Sequence, residues 1–131
     1  MASCSKERIR TYVASGAIPA KAFVKLDTSS NGKKPTVIVC TSGRAIGISQ
    51  NDSAAASGDP VEVALQGGGA MVVLAGTVAL GQALKATTGG AAIVTASDAD
   101  YVSAIAVESG VTGDEIAVEV VTGQKASGDA A

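Results

Sequence analysis

The sequence predicts an all-β fold, on three observations. Short apolar runs alternate with polar residues at period two, glycine-centred turns separate them, and helix signals are confined to one alanine run. Sixteen glycines among 131 residues supply the tight turns that many short strands need. The length allows one domain of ordinary size. Hydrophobic residues make up 47% and aromatics 2%, so the core is built from Ala, Val, Ile and Leu, with Tyr12, Phe23 and Tyr101 as the only rings. Because each small side chain buries far less area than a ring, such a core is thin, and association between copies is expected to supplement it.

The strands follow in order. Ile18, Ala20, Ala22, Val24 and Leu26 alternate with Pro19, Lys21, Phe23, Lys25 and Asp27, which places one apolar face inward over residues 18–27. Further strands are expected over residues 36–40, 45–49, 61–65, 71–75, 82–87, 92–95, 103–108 and 115–121. Turns are expected at Asn31-Gly32, Ser42-Gly43, Gly58-Asp59-Pro60, Gly67-Gly68-Gly69, Gly89-Gly90 and Gly113-Asp114, each carrying residues that tolerate turn dihedrals. The run Asp52-Ser53-Ala54-Ala55-Ala56 before Gly58 reads as one or two helical turns with an N-cap and a terminating glycine. Outside this region, residues 1–16 read as a charged N-terminal arm, 17–123 as the β domain and 124–131 as a flexible small-residue tail.

An internal repeat is visible. Val13, Gly16, Ile18, Val24 and Lys25 recur sixty positions later as Val73, Gly76, Val78, Leu84 and Lys85. Ala45-Ile46-Gly47-Ile48 is echoed by Ala104-Ile105-Ala106-Val107, and Gly58-Asp59-Pro60-Val61 by Gly113-Asp114-Glu115-Ile116. The domain therefore reads as two related β units.

Charge is distributed unevenly. Residues 1–44 hold eight cations against two carboxylates, a net of +6, whereas only Lys85 and Lys125 oppose ten carboxylates from residue 45 onward, a net of -8. Two faces of opposite sign are expected, and such a molecule docks in one orientation.

Catalysis is disfavoured by composition. The chain has no histidine, which removes the usual general base and the commonest zinc ligand. No phosphate-binding loop is present, since Gly32-Lys33-Lys34 lacks the upstream glycine and the following hydroxyl, and G-x-S-x-G is missing too. Glu62, Glu108, Glu115 and Glu119 sit at outward strand positions with Asp98, Asp100 and Asp114 in turns. Without sugar-stacking aromatics or a cation loop they read as a solvated acidic face. Neither a metal nor a cofactor is expected. Cys4 and Cys40 lack metal spacing and are expected as free thiols in a reducing cytoplasm. The charged N-terminus and the lack of a long apolar run argue for a soluble, unsecreted protein without membrane contact.

The segment Lys6-Glu7-Arg8-Ile9-Arg10 followed by Tyr12 is the candidate binding element. Nucleic acid is a poor partner for it, because a single nearby aromatic and an acidic remainder give no stacking surface and no basic field. An acidic protein surface, or the acidic face of a neighbouring subunit, fits better, with Lys6, Arg8 and Arg10 finding carboxylates and Ile9 and Tyr12 an apolar groove; a solvated tail is the alternative.

The order of these elements resembles the small capsid decoration, or cement, proteins of tailed bacteriophages. The likeness runs from about Val13 to Gly123 through residues 16–26, Ala45-Ile46-Gly47-Ile48-Ser49, Gly58-Asp59-Pro60-Val61-Glu62-Val63, Leu80-Gly81-Gln82-Ala83-Leu84-Lys85 with Gly89-Gly90, Ala104-Ile105-Ala106-Val107-Glu108 and Ile116-Ala117-Val118-Glu119-Val120. The resemblance implies a compact barrel-like, β-tulip-type domain, a homotrimer on the capsid exterior of the virion at local three-fold axes, clamping subunits of the major capsid protein after synthesis in the bacterial host cytoplasm. It implies no catalytic residues, and the basic arm has no counterpart in the family pattern. Two other readings compete: a virion-displayed adhesion or carbohydrate-binding module, opposed by the scarcity of aromatics, and a small hydrolase or lyase using carboxylates, opposed by the absence of histidine.

Overall fold

The computed structural model describes residues 9–27, 36–41, 45–51, 53–95 and 101–125. Among them ten strands run in order: β1 (Ile9–Ala14), β2 (Phe23–Leu26), β3 (Thr36–Val39), β4 (Gly47–Ser49), β5 (Pro60–Leu65), β6 (Gly69–Val73), β7 (Ala83–Ala86), β8 (Ala92–Val94), β9 (Tyr101–Ala106) and β10 (Glu115–Lys125). The one helical element among these residues is a 3-10 turn at Thr88–Gly90. The fold is all-β, as the alternation predicts.

Strands β1 to β5 close into a barrel in the order β1-β3-β2-β4-β5, with β5 returning antiparallel to β1. Strands β6 to β10 form a second five-stranded sheet in the order β6-β10-β9-β7-β8. Matching β1 to β6, β2 to β7 and so on shows the same cyclic order twice. Where the barrel closes by the parallel pair Ala14 with Val37, the second unit keeps only the isolated parallel bridge Leu74 with Ala92.

The repeat extends to single hydrogen bonds. The Ala14 N–H donates to the Asp59 carbonyl and the Leu74 N–H to that of Asp114, both at 2.9 Å. Asp59 accepts the Ala56 N–H at its carboxylate, and Asp114 accepts the Val111 N–H, again both at 2.9 Å. Each aspartate thus ties a turn to itself and hands its carbonyl to the neighbouring strand. One proposed echo is out of register. Ile48 lies opposite Phe23 and Ile105 opposite Ala83, so Ile48 matches Ile105 and not Val107, a shift of two residues that keeps every side chain on its face and is invisible to apolar patterning.

Four expectations change. Residues 9–14, assigned to the arm, form β1, because Ile9 to Val13 find ladder partners from Ala64 to Pro60 on β5. Gln124 and Lys125, assigned to the tail, pair with Val102 and Tyr101 on β9 after a register shift beyond Val120. The long strand expected over 18–27 is interrupted: Ile18 makes a single bridge to Ala55, and Lys21 takes φ +55°, so the regular strand starts at Phe23. The Ala55 end of the expected helical run is in that extended bridge, with N–H to O bonds to Ile18 in both directions, while Asp52 lies outside the described residues.

Two apolar clusters fill the fold. Ala14, Ile18, Val24, Val37, Ala55, Val61 and Val63 pack the interior of the first barrel. The larger cluster joins the inward face of the second sheet (Val72, Leu74, Leu84, Ala104, Val118, Val120) to Phe23, Cys40, Ala45, Ile48 and Ala64 of the first unit. Period-two alternation explains the division: Val24 points into the barrel while adjacent Phe23 points out of it onto the second unit.

Candidate functional site

The joint between the units is built on a strand edge. β6 is the outer strand of its sheet, and an open edge would leave N–H and C=O groups unpaired. The first unit covers it. The Val73 N–H donates to the Lys21 carbonyl at 3.1 Å, the Met71 N–H donates to Gln50 Oε1 at 3.4 Å, and Gln50 Nε2 donates to the Met71 carbonyl at 3.2 Å. Lys21 Nζ donates in turn to the Gln50 and Asn51 carbonyls at 3.3 and 3.1 Å, holding the clamp. Gln50→Ala is expected to cost about 1–3 kcal/mol, because it strips partners from two part-buried backbone groups of Met71. A shift in the urea midpoint with unchanged slope would measure it.

Beside this clamp lies an open groove of about 290 Å3 lined by Ile9, Gln50, Gly69, Ala70, Met71 and Ala117. Glu115 and Glu119 flank Ala117 on the same outward face of β10, and both are exposed. Sequence reasoning missed the clamp. The available signal was the repeat itself, which aligns Lys21 with Gly81, the second residue of the pair with positive φ.

The predicted binding residues are not brought together. Lys6 and Arg8 lie outside the described residues. Ile9, Arg10 and Tyr12 share β1, but alternation sends Ile9 to the outward face and Arg10 and Tyr12 to the barrel side, opposite Val63 and Val61. Arg10 is exposed at the barrel mouth, whereas Tyr12 is half-buried and packs on the first unit's own core. The tyrosine is therefore spent on the fold, contrary to the expectation that it waits for a partner's groove.

The acidic half of the expected charge division lies among the described residues, and most of its basic half lies outside them. β5 returns to the first barrel and carries Asp59 and Glu62 with it, so its described residues balance Arg10, Lys21 and Lys25 against Asp27, Asp59 and Glu62. The excess cations Lys6, Arg8, Lys33, Lys34 and Arg44 all fall outside the described residues. The second unit exposes Glu108, Asp114, Glu115 and Glu119. Among the described residues no group of three or more His, Cys, Asp or Glu could hold a metal ion, and no helix is long and apolar enough to cross a membrane. Cys40 is fully buried, and Cys4 lies outside the described residues.

No protein-family model and no curated protein matches the chain. Among solved structures it is similar to the N base of head fiber gp8.5 of bacteriophage phi29, with a TM-score of 0.70 and 14% identity over 88% of this chain and 95% of that one. The two share a fold. At this identity the likeness lies in the path of the backbone, which it follows over almost all of the phi29 base.

Proposed function

We propose that this chain is a structural protein of a tailed-phage head, bound to the outer surface of the capsid as a homotrimer at local three-fold axes and stabilising contacts between major capsid protein subunits. The observation that carries the reading is the fold likeness to the phi29 head fiber base over 95% of that chain. Three features of the chain agree with it. The fold is all-β, the sequence offers no histidine for acid-base work, and all three aromatics are buried or half-buried. The last point disfavours sugar binding, which draws on exposed rings.

The cationic segment before β1 remains the candidate capsid contact, now confined to residues 2–8 with exposed Arg10 at its root. Removing residues 9–11 would cut the β1–β5 ladder, so a truncation has to stop at residue 8. Deleting residues 2–8, or changing Arg8 and Arg10 together to Glu, is expected to leave the far-UV spectrum intact and weaken binding to purified heads about tenfold or more, equivalent to one charge-assisted hydrogen bond of about 1.5 kcal/mol. Co-sedimentation with heads lacking the protein measures this. Full-length protein that fails to co-sediment would overturn the capsid reading; unchanged affinity of the truncation would move the contact to the β domain.

A further inference from the structure

The duplication allows one end of the second unit to be compared with its counterpart in the first. In the first unit the turn over residues 19–22 gives the Lys21 carbonyl to the edge of β6, and Gln50 beside it clamps Met71. The second unit builds the matching turn over residues 79–82. Its Ala79 N–H donates to Gln82 Oε1 at 2.8 Å and its Gln82 N–H to the Ala79 carbonyl at 3.2 Å, with Gly81 at φ +89°. Leu80 therefore stands at the apex of a turn closed from both sides. The Gly81 N–H donates to the Ala106 carbonyl at 2.8 Å, which sets this apex beside Val107, and the bridge between Val78 and Gly110 brings Val111 to the same end of the sheet.

Leu80, Val107 and Val111 are 69%, 48% and 55% exposed, three of the five large exposed apolar residues among those described. In the first unit their positions hold Ala20, Gln50 and Ala56. Hydrogen bonds fix two of these matches. Gln50 N–H donates to the Glu62 carbonyl as Val107 N–H does to that of Ala117, and Asp59 takes the Ala56 N–H as Asp114 takes that of Val111. Solvent favours small or polar side chains at such positions, yet at all three the second unit carries the larger apolar residue. Exposed Glu108, Asp114 and Glu115 surround the group, and residues 103–124 contain no lysine or arginine. The end is thus an apolar knob with a rim of carboxylates.

We propose that this end is a second contact with the capsid, in which Leu80 and Val107 enter an apolar pocket of a shell subunit whose rim carries lysine or arginine. The inference rests on the capsid reading above. A protein that stabilises the contact between two shell subunits has to touch both, and the cationic segment before β1 supplies one touch only. The two contacts are opposite in sign, since the segment seeks carboxylates and the knob offers them, so they cannot exchange places and the protein docks in one orientation. An apex residue on a closed turn suits the role of anchor, because little backbone freedom is left to lose when it is buried.

The test uses the full chain and purified heads lacking it. Leu80→Ala with Val107→Gln installs the residues that the first unit carries on the same scaffold, and Leu80→Ala alone replaces the pair should its β spectrum change. The pair is expected to keep the urea midpoint of the unaltered chain and to bind heads about tenfold more weakly or worse. Glu115→Lys is expected to weaken binding most at low salt, where a basic rim repels it. Failure of the unaltered chain to bind heads overturns the capsid reading and this contact with it. Where the unaltered chain binds and the double variant binds equally well, the contact alone is overturned. Unchanged low-salt affinity of Glu115→Lys overturns the basic rim. A double variant whose mass without heads falls in sedimentation velocity assigns the knob to contacts between copies of this chain, which also overturns the proposal.

Discussion

Replacing Phe23 with alanine is expected to remove about 3–5 kcal/mol of stability, the largest single side-chain loss in the protein. Phe23 is fully buried, the only phenylalanine, and it leaves the first barrel to pack in the cluster shared with the second unit. The rest of that cluster is Val, Ala, Leu, Ile and one Cys, so no neighbour is large enough to collapse into the space. Its counterpart in the second unit is Ala83, which lies in a small separate cluster with Val102 and Ile105. The ring is therefore needed where two units meet and not by the unit fold as such. Against a typical domain stability of about 5–15 kcal/mol, the alanine variant is expected to lose cooperative unfolding between the units or to unfold at a markedly lower temperature. Calorimetry reads both. A variant with an unchanged transition would mean that the joint is held by the β6 clamp and not by apolar packing.

Gly47→Ala is the second large effect. A Cβ at Gly47 would stand 2.1 Å from the Ala64 carbonyl oxygen and 2.8 Å from Val63 Cγ1. The first of these is backbone held in the β4–β5 ladder, where Gly47 pairs with Leu65 and Ile48 with Ala64, and it cannot swing aside as a flexible side chain would. One methyl group must separate the strands or distort the barrel, at a cost near or above the upper end of the overpacking range, about 3 kcal/mol. Gly113→Ala is the control. Nothing lies within 4 Å of a Cβ there, so only its φ of +92° opposes substitution, at about 1 kcal/mol. Urea denaturation that ranks the two in the opposite order would contradict the barrel packing.

Much of the fold was legible because strand alternation and glycine turns are local signals. The runs at 36–40, 61–65, 92–95 and 115–121 each contain or border an observed strand, and Gly58-Asp59 and Gly113-Asp114 mark matching turns. β1 was missed because its apolar positions are interrupted by Arg10 and Thr11, and its strand state depends on a partner about fifty residues away, β5. The clamp was missed for a related reason. Nothing in Gln50 or Lys21 read alone indicates that one will hold the edge of β6 by its amide and the other by its backbone carbonyl.

By itself the sequence determined the all-β class, the duplication, the absence of histidine chemistry and the placement of the carboxylates on outward positions, because composition and period-two patterning act within a few residues. Tertiary structure alone decided that the first unit closes while the second stays nearly open, that Phe23 serves the joint instead of its own barrel, and that Tyr12 packs inward while Ile9 faces out. These outcomes depend on which strand edges meet across the chain. Hydrogen-bonded edges are chemically alike along any strand, so which edges meet is decided by side chains packing across the assembled sheets and cannot be read from one strand alone.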